Sequence, residues 1–337
     1  MAENSKIEWT DATWNPWQGC SKVSEACANC YMFRDMNLYG KDPSIVRRSA
    51  PRTFNLPLRK NRDGTLKIPS GSKVFTCSWS DWFHAAADPW RDEAWEVIRQ
   101  RPDLIFQIVT KRTERIKECL PSGWGEGWPN VWLIATVENQ KWADIRISQL
   151  LSVPAAVHGL SMEPLLGPVS LSKFTGVELA SPEEREAMRE IFPHGLPENS
   201  WNAQYSRWLE AENKRGKWVI AGGESGHHAR PLHPDWARSL RDQCQAAGVP
   251  FFFKQWGEWL PDSQDHGGQC SPQRKHCEIG VDGRPRLPGD LNLKEFGFER
   301  FSLAGKKNAG RLLDGREWSE FPVATVLTEG GTRKVIE

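Results

Sequence analysis

Short apolar runs recur along the chain, and each gives way to polar or glycine residues. They are Lys6–Trp9, Lys73–Cys77, Leu104–Val109, Val131–Ala135, Val157–Leu160, Trp218–Ala221 and Pro250–Phe253. Runs this short, rich in β-branched and aromatic residues, predict buried parallel strands. Helical patterns fall between them. Pro89–Arg99 follows Asp88, a candidate N-cap, and has Pro at its first position. Arg112–Leu120 and Asn139–Leu151 are amphipathic, and Pro234–Ala247 stops before Gly248. This alternation predicts βαβ units. The expected fold class is α/β: a partial (β/α) TIM-type barrel of about six to seven parallel strands. An open doubly wound sheet is the alternative.

Three stretches break the alternation. Residues 41–72 form a Pro/Arg-rich connection. A helical insertion is expected at about 172–217, with a helix Pro182–Phe192 whose start carries the Ser181/Glu184 capping-box pattern. From about 260 the chain turns rich in Gly, Pro and charge. We expect a barrel domain over 1–260 and an irregular C-terminal extension, 261–337, packing on it.

Composition narrows the class. Hydrophobic residues are 39% and charged residues 26% of the 337, which excludes a disordered chain. No run approaches the roughly 18 apolar residues of a membrane span, so no membrane partner is expected. The N-terminus lacks an apolar signal core, and a cytoplasmic protein is expected. There, the eight cysteines are expected to be reduced, metal-binding or catalytic. A net charge of +1 excludes a whole-surface grip on nucleic acid. Residues 41–73, however, hold nine Lys/Arg against two Asp. That stretch predicts a local contact to phosphates, with a solvated loop as the alternative. The eighteen Trp serve cores and stacking surfaces alike.

In α/β barrels the active site lies at the carboxyl ends of the strands. Here those ends carry Asp81, Lys111, Glu138, Asn139, Glu163, Glu224, Ser225 and Lys254. Together they predict a polar pocket ringed by carboxylates and lysines. Ordinary turn and capping chemistry is the plainer alternative.

The sharpest motif follows the first run. Cys20, Cys27 and Cys30 are spaced C-x6-C-x2-C in TWNPWQGCSKVSEACANCY. Two thiolates in C-x2-C can reach one metal, and a third can reach back across a short loop. A closed zinc site needs four ligands, whereas an iron–sulfur cluster held by three cysteines leaves one iron open. Zinc completed by Cys77 or His84 is an alternative, as are unrelated buried thiols. His266, Cys270, His276 and Cys277 have only loose metal spacing and read better as a polar loop. Cys119 and Cys244 sit in helical patterns and are expected to be buried. His227 and His228 follow the Gly-Gly-Glu turn, where loop histidines usually face solvent.

The chain resembles the phage- and bacterium-encoded three-cysteine-motif proteins, a family similar to the radical S-adenosylmethionine (SAM) superfamily. IEWTDATWNPWQGC, CANCY, LIFQIVTKR, VWLIATVENQ, GLSMEPLLGPV, WVIAGGESG, HPDWARSLRDQC, PFFFKQWGEW and AGRLLDGREW carry the resemblance. The first cysteine gap is six rather than the superfamily's usual three, and Asn29 holds a position that is often aromatic. The resemblance implies that Cys20, Cys27 and Cys30 hold a 4Fe–4S cluster whose open iron binds SAM. An external electron donor would then drive cleavage to a 5′-deoxyadenosyl radical that abstracts a substrate hydrogen. By residue type, Ser78, Ser80 and Asp81 suit the methionine amino group, and Glu138 and Asn139 the ribose. Gly222 and Gly223 suit close approach to the ligand, with Glu224 as an acceptor. Lys111, Glu163 and Lys254 are left as catalytic or substrate contacts. A nucleic acid or nucleotide is the favoured substrate, and the family implies a dedicated partner protein. The competing readings are a zinc-stabilised, non-catalytic nucleic-acid- or partner-binding protein, and a hydrolytic metalloenzyme.

Overall fold

A computed structural model describes residues 4–177, 216–270, 273–286, 297–327 and 333–336. Seven strands form the main sheet: β1 (Ala12–Trp14), β2 (Lys73–Thr76), β3 (Ile105–Thr110), β4 (Val131–Thr136), β5 (Val157–Met162), β6 (Lys217–Gly222) and β7 (Phe251–Gln255). All neighbours are parallel, and the spatial order is the chain order. No reversal of order occurs, so there is no doubly wound switch point. The sheet curls into a partial TIM-type barrel, as the run-and-helix pattern predicted.

Among the described residues, four longer helices accompany the sheet: α1 (Tyr31–Leu38), α2 (Asp88–Arg99), α3 (Gln140–Leu151) and α4 (Pro234–Ala247). The apolar faces of α2, α3 and α4 join one face of the sheet in the larger core. Trp95 and Ile98 of α2, Ala143 and Ile147 of α3, and Leu240 and Cys244 of α4 pack there with Phe106, Leu133, Leu160 and Phe253. Pro89 opens α2 and Gly248 ends α4 in the left-handed region, at φ 65°.

A second, smaller core fills the concave side at the amino ends of the strands. Trp9, Ile105, Trp132, Val157, Trp218 and Phe252 form it, with Phe75 and Phe321 packed on. Trp218 of β6 meets Trp9, ahead of β1, at 6.2 Å between ring centroids, and Trp132 at 5.5 Å. A contact between residues near opposite edges of the sheet requires strong curling. Each aromatic pair contributes about 0.5–1.5 kcal/mol beyond area burial.

Several local expectations are corrected. Lys6–Trp9 is not the first strand; β1 starts at Ala12, and Trp9 plugs the barrel floor instead. Asp88 lies inside α2, whose N-cap is Ala87. Arg112–Leu120 folds as two 3₁₀ turns, Thr113–Arg115 and Lys117–Cys119, rather than one helix. Of the insertion, the short helix Ser172–Thr175 is seen, while Pro182–Phe192 lies outside the described residues. The C-terminal extension is more regular than its composition suggested. β8 (Trp259–Pro261), β9 (His276–Ile279) and β10 (Glu299–Leu303) form an antiparallel sheet in the order β8-β10-β9. Residues 318–320 then pair with the outer edge of β7, through Phe253 N–H to the Trp318 carbonyl (3.0 Å) and Glu320 N–H to the Phe251 carbonyl (3.2 Å). The open edge of the half-barrel is thereby covered. No helix among the described residues is long and apolar enough to cross a membrane.

Candidate functional site

The loop between β1 and α1 carries all three motif cysteines and lies across the carboxyl ends of the strands. Gly19 starts it at φ 98°, where a Cβ would meet the Ile45 carbonyl oxygen at 2.4 Å, so only glycine fits. Cys27 is buried, while Cys20 and Cys30 are half-buried.

Four strand ends hold this loop. After β2, Ser80 Oγ donates to the Gly19 carbonyl and Tyr31 Oη donates to the Ser78 carbonyl. Ser78 Oγ also accepts from Asn15 Nδ2 at 2.9 Å. After β3, Arg112 donates to the Ser21 carbonyl (2.9 Å), to Ser21 Oγ (2.8 Å) and to Cys20 Sγ (3.5 Å). Asp81 orients that guanidinium at 3.2 Å and accepts from Thr110 Oγ1 (2.8 Å) and from Lys111 N–H (2.9 Å). After β4, Glu138 accepts from Ser24 Oγ at 2.5 Å. After β6, Glu224 accepts from Asn29 Nδ2 at 3.0 Å.

Like Asp81, the other two carboxylates are ion-paired. Glu138, fully buried, bonds Arg146 at 2.8 Å, and Arg146 is itself 1% exposed. Glu224 takes Arg230 at 2.6 and 2.8 Å, and Arg230 reaches on to the Glu25 carbonyl at 3.1 Å. Burial alone would raise the Glu224 pKa; the hydrogen bonds from Arg230 and Asn29 outweigh it and hold the carboxyl below its ordinary value. For Cys20 the balance falls the other way. Burial pushes the thiol up to about 11, against the opposing pull of Arg112.

The residues expected to bind a ligand therefore divide. Ser78, Ser80, Asp81, Glu138 and Glu224 tie the cysteine loop to the sheet. Asn139 caps α3, accepting from Trp142 N–H at 3.3 Å. A Cβ on Gly223 would strike the Trp256 carbonyl oxygen at 1.9 Å, and one on Gly222 would approach Glu163 Cγ at 3.1 Å. The room both glycines provide is taken up by the chain itself. Glu163 and Lys254 form an ion pair at 2.7 Å, each about 15% exposed, facing each other from β5 and β7. Ser225 Oγ accepts from Gln255 Nε2 at 3.0 Å. Lys111 is half-buried, and its ammonium has no partner among the described residues. The sequence gives no role to Arg112, Arg146 or Arg230, and it marks Asn29 only as a departure at an often aromatic position. Arg112 directly follows Lys111 at a strand end, the one signal that pointed to it.

Three thiols on one loop are a donor set suited to a metal or iron–sulfur group. Among the described residues, no three His, Cys, Asp or Glu side chains already converge to hold a metal. Holding such a group therefore requires the loop to draw its sulfurs together and Cys20 to lose its proton. The same absence applies to His266, Cys270, His276 and Cys277. His276 instead bonds Ser302 Oγ at 3.1 Å, and burial pushes the Cys270 thiol up to about 12. Cys119 and Cys244 are buried, as expected, and His227 and His228 are exposed.

No curated protein and no solved structure matches the sequence significantly. A family model described as "Protein of unknown function (DUF5131)" matches residues 4–322, and the chain belongs to that family.

Proposed function

We propose that the protein is a radical-SAM-like iron–sulfur enzyme that acts on a nucleic acid or nucleotide. One observation carries the reading: three free thiols sit on a single loop, tied by side chains from four strand ends to the carboxyl mouth of a partial barrel. Cys20, Cys27 and Cys30 are the residues that would hold the group. A 4Fe–4S cluster held there would supply one-electron reductive chemistry toward SAM.

The chain's own residues do the rest. Arg112 donates to Cys20 Sγ and so favours the thiolate form that a ligand needs. Asp81 fixes the guanidinium of Arg112, and Glu138 and Glu224 anchor the loop at Ser24 and Asn29. Lys111 and the Glu163–Lys254 pair remain to orient an anionic substrate and to hold its protons.

The test is anaerobic reconstitution with iron and sulfide, followed by metal analysis and EPR with and without SAM. The expected result is about four irons per chain, a reduced signal that shifts with SAM, and 5′-deoxyadenosine on reduction. The Cys30→Ala protein should lose all three. A colourless protein with one zinc per chain, silent toward SAM, sinks the proposal and makes the cysteines a structural clasp.

A further inference from the structure

Among the described residues, five of the nine exposed large hydrophobic side chains lie between residues 23 and 45, in the cysteine loop, its helix and the turn that follows. Apolar exposure this concentrated marks a binding face rather than scatter. Leu38 is 78% and Tyr39 71% exposed, at the end of α1. The Tyr39 ring stacks on Trp79, with centroids 6.4 Å apart and planes inclined by 27°.

Trp79 is a fixed base for that stack. Its backbone N–H donates to Asn15 Oδ1 at 2.8 Å, and its backbone carbonyl accepts from Gly19 N–H at 3.0 Å. Two exposed cations stand beside the pair. Lys41 follows Tyr39 by two residues. Arg47 pairs through its backbone with Gln18, the residue before Gly19. Neither side chain has a hydrogen bond or ion pair among the described residues, whereas neighbouring Arg34 and Arg48 are paired with Asp35 and Glu93. Lys73, at the far end of the basic stretch, opens β2 at the barrel floor, over Phe321.

We propose that this lip binds single-stranded nucleic acid, with a base stacked on the outer face of Tyr39 and the flanking phosphates on Lys41 and Arg47. An exposed aromatic stack offers its face to any base, but only an unpaired one can present its own face in return. The two cations match the backbone on either side of it, a phosphate taking over the share of the Arg47 charge that Asp42 now feels. A net charge of +1 is consistent with this, because the contact is local. The assignment deepens the proposed function by naming a substrate class and a place for it, yet the binding itself needs no cluster.

The experiment is fluorescence anisotropy with a labelled 15-mer of thymidine, the matching uridine 15-mer and a duplex of the same length, with iron measured on every sample. We expect both single strands to bind more tightly than the duplex; the difference between the two reports whether the chain is DNA or RNA. Tyr39→Ala should weaken binding roughly five- to hundredfold, the range of one base–aromatic contact, and Tyr39→Phe should restore it. Because Tyr39 is so exposed, neither change threatens the fold. Replacing Lys41 and Arg47 together by Ala should reduce the salt slope by about 1.4. Equal binding of duplex and single strand, or no effect of Tyr39→Ala, overturns the lip. Iron content reports separately on the cluster: iron-loaded protein that ignores the 15-mers refutes the lip alone, and iron-free protein that binds them supports it.

Discussion

The floor and the mouth of the half-barrel are built from the same strands, and on the concave face they differ by a few residues of alternation. Trp132 at the start of β4 packs on Trp218 in the floor; six residues later Glu138 anchors the cysteine loop. The floor is closed by non-directional aromatic packing. The mouth is closed by directed hydrogen bonds, nearly every one reaching a loop. Packing tolerates any pH and needs volume. Directed bonds need specific partners and titrate. The contrast shows why so many polar strand ends are not free for a ligand: without them the cysteine loop has little to hold it.

The largest expected effect is at the floor. Trp218 is fully buried against Trp9, Trp132, Phe252 and Phe321. Trp218→Ala should cost about 3–5 kcal/mol in urea unfolding while leaving any metal stoichiometry per folded chain unchanged. A loss below about 1 kcal/mol would mean that the aromatic plug does not hold the curl.

Glu138→Ala comes next, and it separates scaffold from ligand at the mouth. It strands the buried Arg146 guanidinium, whose Nε and Nη2 already lack partners, and should cost about 3 kcal/mol. If Glu138 serves chiefly a ribose, stability will hardly change and SAM affinity will fall instead.

The smallest effect is a pH dependence peculiar to the mouth. The folded Glu224 carboxyl titrates below its ordinary value. Its contribution is therefore complete above the unfolded pKa, about 4.3, and is lost as pH falls through the folded value. Unfolding free energy measured from pH 6 downward should drop more steeply in the natural protein than in Glu224→Gln. Parallel curves would show that the Arg230 and Asn29 bonds add no stability.

Much of the barrel was legible in the sequence. Runs such as Leu104–Val109 announce β3 because a strand buried on both faces must be apolar at nearly every position, Gln107 being the exception here. The helix Pro234–Ala247 was legible because its Pro start and Gly stop are local signals. Misreadings came where a local pattern had more than one solution. Lys6–Trp9 has the composition of a strand, but its tryptophan is worth more as a plug. Arg112–Leu120 has helical spacing, yet Arg112 is pulled toward Asp81 and Cys20, and the segment breaks into two turns.

By itself, the sequence determined the parallel strands, their order of appearance and the three thiols on one loop, since period, length and spacing are properties of neighbouring residues. Tertiary structure alone decided which polar strand ends are spent and which are left. Ser24 meets Glu138 across 114 residues and Asn29 meets Glu224 across 195. Whether a carboxylate is free depends on what the fold brings within hydrogen-bond distance of it, and separation along the chain carries no record of that distance.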